Sequence, residues 1–285
     1  MKKRKLFCEI SPLTYKISVA KCCLFRTFSD LFPRKKFAKS KLNEPLKNLV
    51  YSSKSLIRRK LGNANPLLQE NKAINLKLSA PKVTGILIKP NEIFSFWKLV
   101  GSCTAKKGYK EGLTINSGKV SSGIGGGMCQ FTNLLHWLVL HTPLEIVEHH
   151  HHDGLDLFPD FGRTIPFGTG TSILYNYLDY RFVNKTSNTF QIIISLTDKY
   201  FCGEIRSAEP LSQSYHIVSE DENFTEESGI IYRNGNVFRE CVDKKTGDLL
   251  SKQLIKVNHA KVLYDTSGLE IIHLGSQQSQ TACKE

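Results

Sequence analysis

Apolar residues recur at helical spacing from Leu13 through Ile17, Ala20 and Leu24 to Phe28, while Lys16, Lys21 and Arg26 lie off that stripe. With Ser11 as cap and Pro12 as first helical residue, the pattern predicts a basic amphipathic helix. A second helix is predicted from Pro45 to Leu61, its face made by Leu46, Leu49, Val50, Ser53 and Ile57 and its stop by Gly62. A third, shorter helix starts at Asn65-Pro66. The period then changes: Val83 to Ile88 reads as a strand, Lys89-Pro90-Asn91 as a turn and Ile93 to Trp97 as a second apolar run. A central helix from Cys129 to Leu140 contains no glycine or proline and ends before Pro143. Strands are expected at Leu144 to His152, Ser172 to Asn184, Phe190 to Leu196 and Tyr200 to Arg206, with residues 184–188 as a hairpin loop. Shorter ones follow at Ile230 to Tyr232, Val237 to Glu240 and Ala260 to Tyr264.

These elements give an α+β fold: N-terminal helices and one central helix carrying a glycine-rich cysteine turn, packed on a mainly antiparallel β-sheet. The expected divisions are a basic helical lead over 1–64, a core over 65–208, a β-rich extension of the same domain over 209–274 and a disordered tail over 275–285.

Charge changes the picture only at the N-terminus. The net charge is +13, but residues 1–60 hold 17 Lys/Arg against Glu9, Asp30 and Glu44, which leaves the remainder near neutrality. No nucleic-acid reader motif follows this lead, so no nucleic-acid partner is expected. Two uses fit the leading helix: attachment to an anionic membrane surface, or docking on the domain with its basic face in solvent. No run of 18 apolar residues is present, and Glu9, Lys16 and Lys21 interrupt the apolar stretch that a signal peptide would need behind Lys2-Lys3-Arg4-Lys5. The eight cysteines form no C-x-x-C pair, which favours reduced thiols. The expected location is cytoplasmic, with a peripheral position at the inner face of the membrane as its variant.

Candidate chemistry gathers at Gly125-Gly126-Gly127-Met128-Cys129-Gln130. Three successive glycines carry more backbone entropy than an ordinary turn requires, so something must approach that backbone closely. Cys129 falls in the first helical turn, where the macrodipole favours a thiolate and free amides can bind an oxyanion; the bland alternative is an inert cysteine under a tight turn. His136 shares the stripe of Cys129, Thr132 and Asn133, but seven residues put it about 10 Å along the axis, too far to serve as the base. His149-His150-His151-His152 is read as extended, so either His149 and His151 or His150 and His152 face the helix. Such pairs also suit a divalent metal, with Asp153 or Asp156 completing the set. Arg163 can clamp a carboxylate or phosphate or pair with a nearby aspartate. Asn176 or Asp179 can orient a histidine, and the order Cys129, histidine, Asp179 echoes that of papain-like and transglutaminase-like enzymes.

Taken together, Asn71-Lys72 to Leu76, Phe94-Ser95-Phe96-Trp97, Val100-Gly101, Gly108-Tyr109, the glycine-cysteine segment, Glu148 to His152, Phe158-Pro159-Asp160, Arg163 to Gly170, and Tyr175-Asn176-Tyr177 with Asp179 carry a resemblance. Over roughly Leu42 to Arg206 the chain resembles the VanW family, associated with vancomycin B-type resistance in bacteria and with the cell wall. The resemblance implies His150 and His152, rather than His149 and His151, as the functional pair. His149 departs from the arginine expected there.

Two functions follow as expectations. One is a cysteine-dependent enzyme performing acyl transfer or amide hydrolysis on a cell-wall precursor or peptide, with Cys129 as nucleophile, His152 or His150 as base and Asp179 as orienter. Gly125, Gly126, Gly127, Gln130, Arg163 and Asn176 would then contact substrate. The other is a non-catalytic module holding an anionic cell-wall intermediate at the glycine turn and helix N-terminus. No cofactor is expected; a divalent metal on His150, His152 and Asp156 is the rival chemistry.

Overall fold

The computed structural model describes residues 6–31, 35–58, 65–116, 119–151, 154–157, 159–160 and 165–273. Helix α1 (Pro12–Leu31) starts as expected, the Ser11 hydroxyl accepting from the Thr14 amide at 3.2 Å. Strands β1 (Lys36–Phe37) and β2 (Asn48–Leu56) precede helix α2 (Pro66–Val83), whose cap Asn65 accepts from the Leu67 amide at 2.9 Å. Next come β3 (Ile86–Ile88), β4 (Glu92–Ser95), α3 (Phe96–Val100), β5 (Glu111–Asn116), β6 (Lys119–Ile124) and the central helix α4 (Met128–Leu140). The rest is strand: β7 (Glu145–Glu148), β8 (Leu155–Asp156), β9 (Arg181–Val183), β10 (Phe190–Leu196), β11 (Tyr200–Ser207), β12 (Gln213–Glu227), β13 (Ile230–Asp243), β14 (Leu249–Val262) and β15 (Ile271–His273).

The class is α+β with mainly antiparallel pairing. One sheet, ordered β2-β11-β10-β3, is antiparallel throughout. A second runs β1-β4-β9-β7, a third β15-β12-β13-β14-β8, and β5 with β6 forms a hairpin. Helix α4 lies across the first sheet where Gly203 of β11 leaves space; a Cβ there would come within 2.8 Å of Leu138. Phe131 of α4 meets Phe201 at 4.8 Å and Phe96 at 5.3 Å, both edge to face, and so joins sheet, helix and α3 in one core. Each such side chain removed from water stabilises the fold by roughly 1.5–3 kcal/mol.

Several predicted elements are corrected. The second helix, Pro45 to Leu61, is instead strand β2. From Tyr51 to Leu56 its residues alternate between half-buried and exposed, and Val50 sits at a bulge where the register with Ile205 and Arg206 shifts. The extra residue makes apolar positions imitate a helical period. The third helix is longer than expected, 18 residues, and Val83 ends it rather than opening a strand. The run from Ile93 to Trp97 divides at Ser95, which closes β4 and caps α3. The Leu144 to His152 strand contracts to β7, and of Ser172 to Asn184 only β9 is strand. Leu174 to Leu178 is a tight turn with Asn176 at φ 47°. Residues 184–188 link two different sheets and are not a hairpin. In the C-terminal part Ile230 to Tyr232 and Val237 to Glu240 belong to one strand of 14 residues, and β12 had no counterpart in the prediction. Gly235 and the register break opposite it interrupt the alternation there. The expected tail from 275 lies outside the described residues.

No helix among the described residues is long and apolar enough to cross a membrane. Seven cysteines among them are unbridged.

Candidate functional site

The close approach demanded by the three glycines is made by the chain itself. A Cβ on Gly125 (φ 80°) would lie 2.5 Å from Cys103 Cβ, one on Gly126 2.2 Å from the Gly112 carbonyl, and one on Gly127 (φ 101°) 2.3 Å from Lys72 Cγ. Asn75 donates to the Gly126 carbonyl at 2.9 Å and to Lys110 O at 3.0 Å, tying the turn to α2 and β5. Gln130 also faces structure: its amide donates to Ser55 Oγ at 2.9 Å and Leu56 O at 2.8 Å, holding α4 on β2.

Cys129 stands in the first turn of α4, but burial pushes its thiol pKa up, against a weaker opposing bond from the Ile173 backbone. The macrodipole contributes about 0.3–1 kcal/mol, less than a pKa unit, whereas burial shifts a group by as much as several units. Desolvation therefore wins over the helix end. Along the same face, Asn133 Oδ1 accepts from the Thr171 amide at 2.7 Å and the Thr171 hydroxyl at 2.8 Å, stitching α4 to the segment after Gly170.

The histidine run does alternate, but the pair turned to α4 is His149 and His151. His149 stacks on His136 with ring centroids 4.2 Å apart and bonds Gly170 O at 2.8 Å; His151 meets it edge to face at 6.2 Å. His150 turns instead to Glu148, 3.0 Å away, because adjacent residues of an extended chain point oppositely. His150, expected as a base for Cys129, thus has Glu148 as its partner. His152 and Arg163 lie outside the described residues. His136, set aside on distance from Cys129, belongs to the histidine cluster. It is 1% exposed and shares a 3.2 Å bond with the Tyr180 hydroxyl, while its Nε2 has no partner among the described residues. Burial first, then His149 and His151, lower its pKa well below the usual value, so it is neutral at pH 7.

Among the described residues Asp179 has no histidine partner. Its carboxylate accepts from Ser95 Oγ (2.6 Å), Arg181 Nε (2.7 Å) and the amides of Trp97 (3.0 Å) and Tyr180 (2.9 Å), joining β4, α3 and β9. Asn176 donates to Thr27 Oγ1 at 3.2 Å, toward α1. Asp156 is taken up by the Tyr264 hydroxyl at 2.9 Å and Arg233 at 3.5 Å, and is separated in role from His150. Among the described residues no three His, Cys, Asp or Glu side chains converge as metal ligands.

What the histidines do line is open space. A cleft of about 420 Å³ lies between His149, His150 and His151, the Gly168 and Ser172 loop, and Ile255 and Lys256 of β14. A space of about 200 Å³ adjoins it at His151 and Lys256 and is bounded by Phe167 and Asn258. Imidazole and hydroxyl groups both donate and accept there, beside a lysine, which suits a small polar ligand. The α4 stripe ending in His136 was the signal for this cluster; nothing in the spacing pointed to β14.

A family model described as VanW like protein matches residues 71–206. The chain is 37% identical over 198 residues to the vancomycin B-type resistance protein VanW of Enterococcus faecalis (strain ATCC 700802 / V583), covering 70% of this chain and 72% of that protein. It is 33% identical over 119 residues to the uncharacterized protein YoaR of Bacillus subtilis (strain 168), 41% of this chain and 36% of that one. No solved structure matches the chain. The family span contains the glycine turn and the histidine run, whereas Ile255 and Lys256 come from beyond it.

Proposed function

Because the chain belongs to the VanW family, we propose that it is an accessory protein of vancomycin-type glycopeptide resistance, acting by holding a peptide-like cell-wall precursor beside His149 and His151. The observation that carries this reading is the histidine-lined cleft. Its volume of about 420 Å³ falls in the range of ligand sites, and its polar groups complement amide and carboxylate groups of a short peptide. The glycine turn, filled by Gly112, Cys103 and Lys72, serves as the frame that fixes α4 against this cleft.

Cysteine-dependent acyl transfer makes demands that this geometry supports less well. It needs a thiolate and a base, but burial raises the Cys129 pKa, and among the described residues His149 bonds Gly170 and His150 bonds Glu148. Binding makes neither demand.

Calorimetric titration with a soluble peptidoglycan-precursor pentapeptide tests the reading. The parent and Cys129→Ser should bind alike, and His149→Ala or His151→Ala should weaken binding by about fivefold or more. Absence of binding by the parent contradicts the proposal. Peptide cleavage abolished in Cys129→Ser would restore the enzyme.

A further inference from the structure

Helix α1 is docked the opposite way from an ordinary surface helix. None of its residues is buried. Contact with the rest of the chain is made by its polar side: Arg26 forms a bidentate pair with Glu148 at 2.6 and 2.7 Å, and Asp30 accepts both guanidinium arms of Arg181 at 2.7 Å. Cys23 O and Thr27 receive Asn176. The apolar stripe faces outward, with Leu13 67%, Leu24 59%, Phe28 59% and Leu31 72% exposed. At about 100° per residue, Leu13, Ile17, Leu24, Phe28 and Leu31 fall within roughly 60° of one another, with Asp30 about 125° and Arg26 about 165° around the helix from their centre and Thr27 at the near edge, about 65° away.

Charge identifies what covers this stripe. Lys16 and Lys21 flank it, each roughly 60–80° from its centre, and Lys21 lies 5.8 Å from the centroid of the Phe25 ring. Asp30 is the acidic residue of α1, and it is spent on Arg181 at the docked side. The outward side thus pairs apolar area with positive charge alone. A second copy of the chain would bring like charges together, whereas an anionic bilayer satisfies both the stripe and the lysines. We infer that α1 lies in the plane of an anionic lipid surface, with the folded chain held on its aqueous side through Arg26 and Asp30.

The full chain is sedimented with vesicles of phosphatidylcholine alone and of phosphatidylcholine with phosphatidylglycerol. Binding to the anionic vesicles should be about tenfold or more stronger, and should weaken as salt rises. Leu24→Ser with Phe28→Ser should abolish binding without altering the unfolding curve, since neither side chain meets the core. Lys16→Glu with Lys21→Glu should remove the anionic preference. Equal binding by the apolar double variant, or no binding by the parent, overturns the inference. So does a parent dimer that the apolar double variant dissociates, which makes the stripe a self-interface.

Discussion

Arg181 is where single residues carry the most weight. Burial opposes its charge, but bonds from Asp30 and Asp179 outweigh that and hold its pKa above the usual value. Asp30 shows the counterpart: burial raises its pKa, and the Arg181 bonds then bring it below the ordinary range. Removing one partner strands the other in low dielectric. Asp179→Ala should therefore lower stability by about 3–5 kcal/mol in urea denaturation; an unchanged midpoint contradicts this structural role. At Cys129 the raised thiol pKa predicts slow alkylation by iodoacetamide at pH 8 in the native protein, with reaction released by denaturant and read by peptide mass. Rapid native alkylation would return Cys129 to the status of a nucleophile. The sequence placed Cys129 on the first helical turn correctly. It could not display what meets the thiol, because the backbone of Ile173 that bonds it is distant in sequence.

At the scale of elements, the glycine turn was legible as a close-approach site, but the approaching group was not. Gly112 reaches Gly126 through the β5–β6 hairpin, a pairing that residue spacing near Gly126 does not encode. Gly126→Ala should destabilise the protein by several kcal/mol, on the order of a severe backbone overlap. Gly123→Ala, where a Cβ meets Thr114 at an ordinary 3.6 Å, should change stability by about 1 kcal/mol or less. Equal unfolding midpoints for the two variants would mean that the turn is not packed as described. Helix α4 and strands β10 and β11 were readable because their apolar periods are uninterrupted. Strand β2 was not, since a single bulge at Val50 replaced its alternation with a helix-like spacing. The histidine alternation followed from strand geometry, while its phase depends on β7 and on Glu148, which bonds His150.

Across the whole molecule, buried histidines set the acid limit. His141 is 9% exposed and stacks on Tyr51 at 3.6 Å; burial, with His216 and Arg239, lowers its pKa to about 4 against the opposing Trp137 carbonyl bond. His136 is lowered as well. Between pH 6.5 and 4 the unfolded chain takes up protons that these folded histidines refuse, so stability is full above pH 6.5 and falls with pH. His141 alone accounts for roughly 3 kcal/mol of that loss, while Asp156, raised by burial, works in the other direction. Urea midpoints at pH 7.5, 6 and 5 should decline in that order; a flat series contradicts the burial of the histidines. The same scale joins the family span to β14, whose Ile255 and Lys256 close the cleft. Heteronuclear NMR of histidine-labelled protein titrated with the precursor pentapeptide reads the cleft itself. The His149 and His151 imidazole signals should shift in both the parent and Cys129→Ser; unperturbed signals from both histidines under saturating peptide would contradict binding beside them.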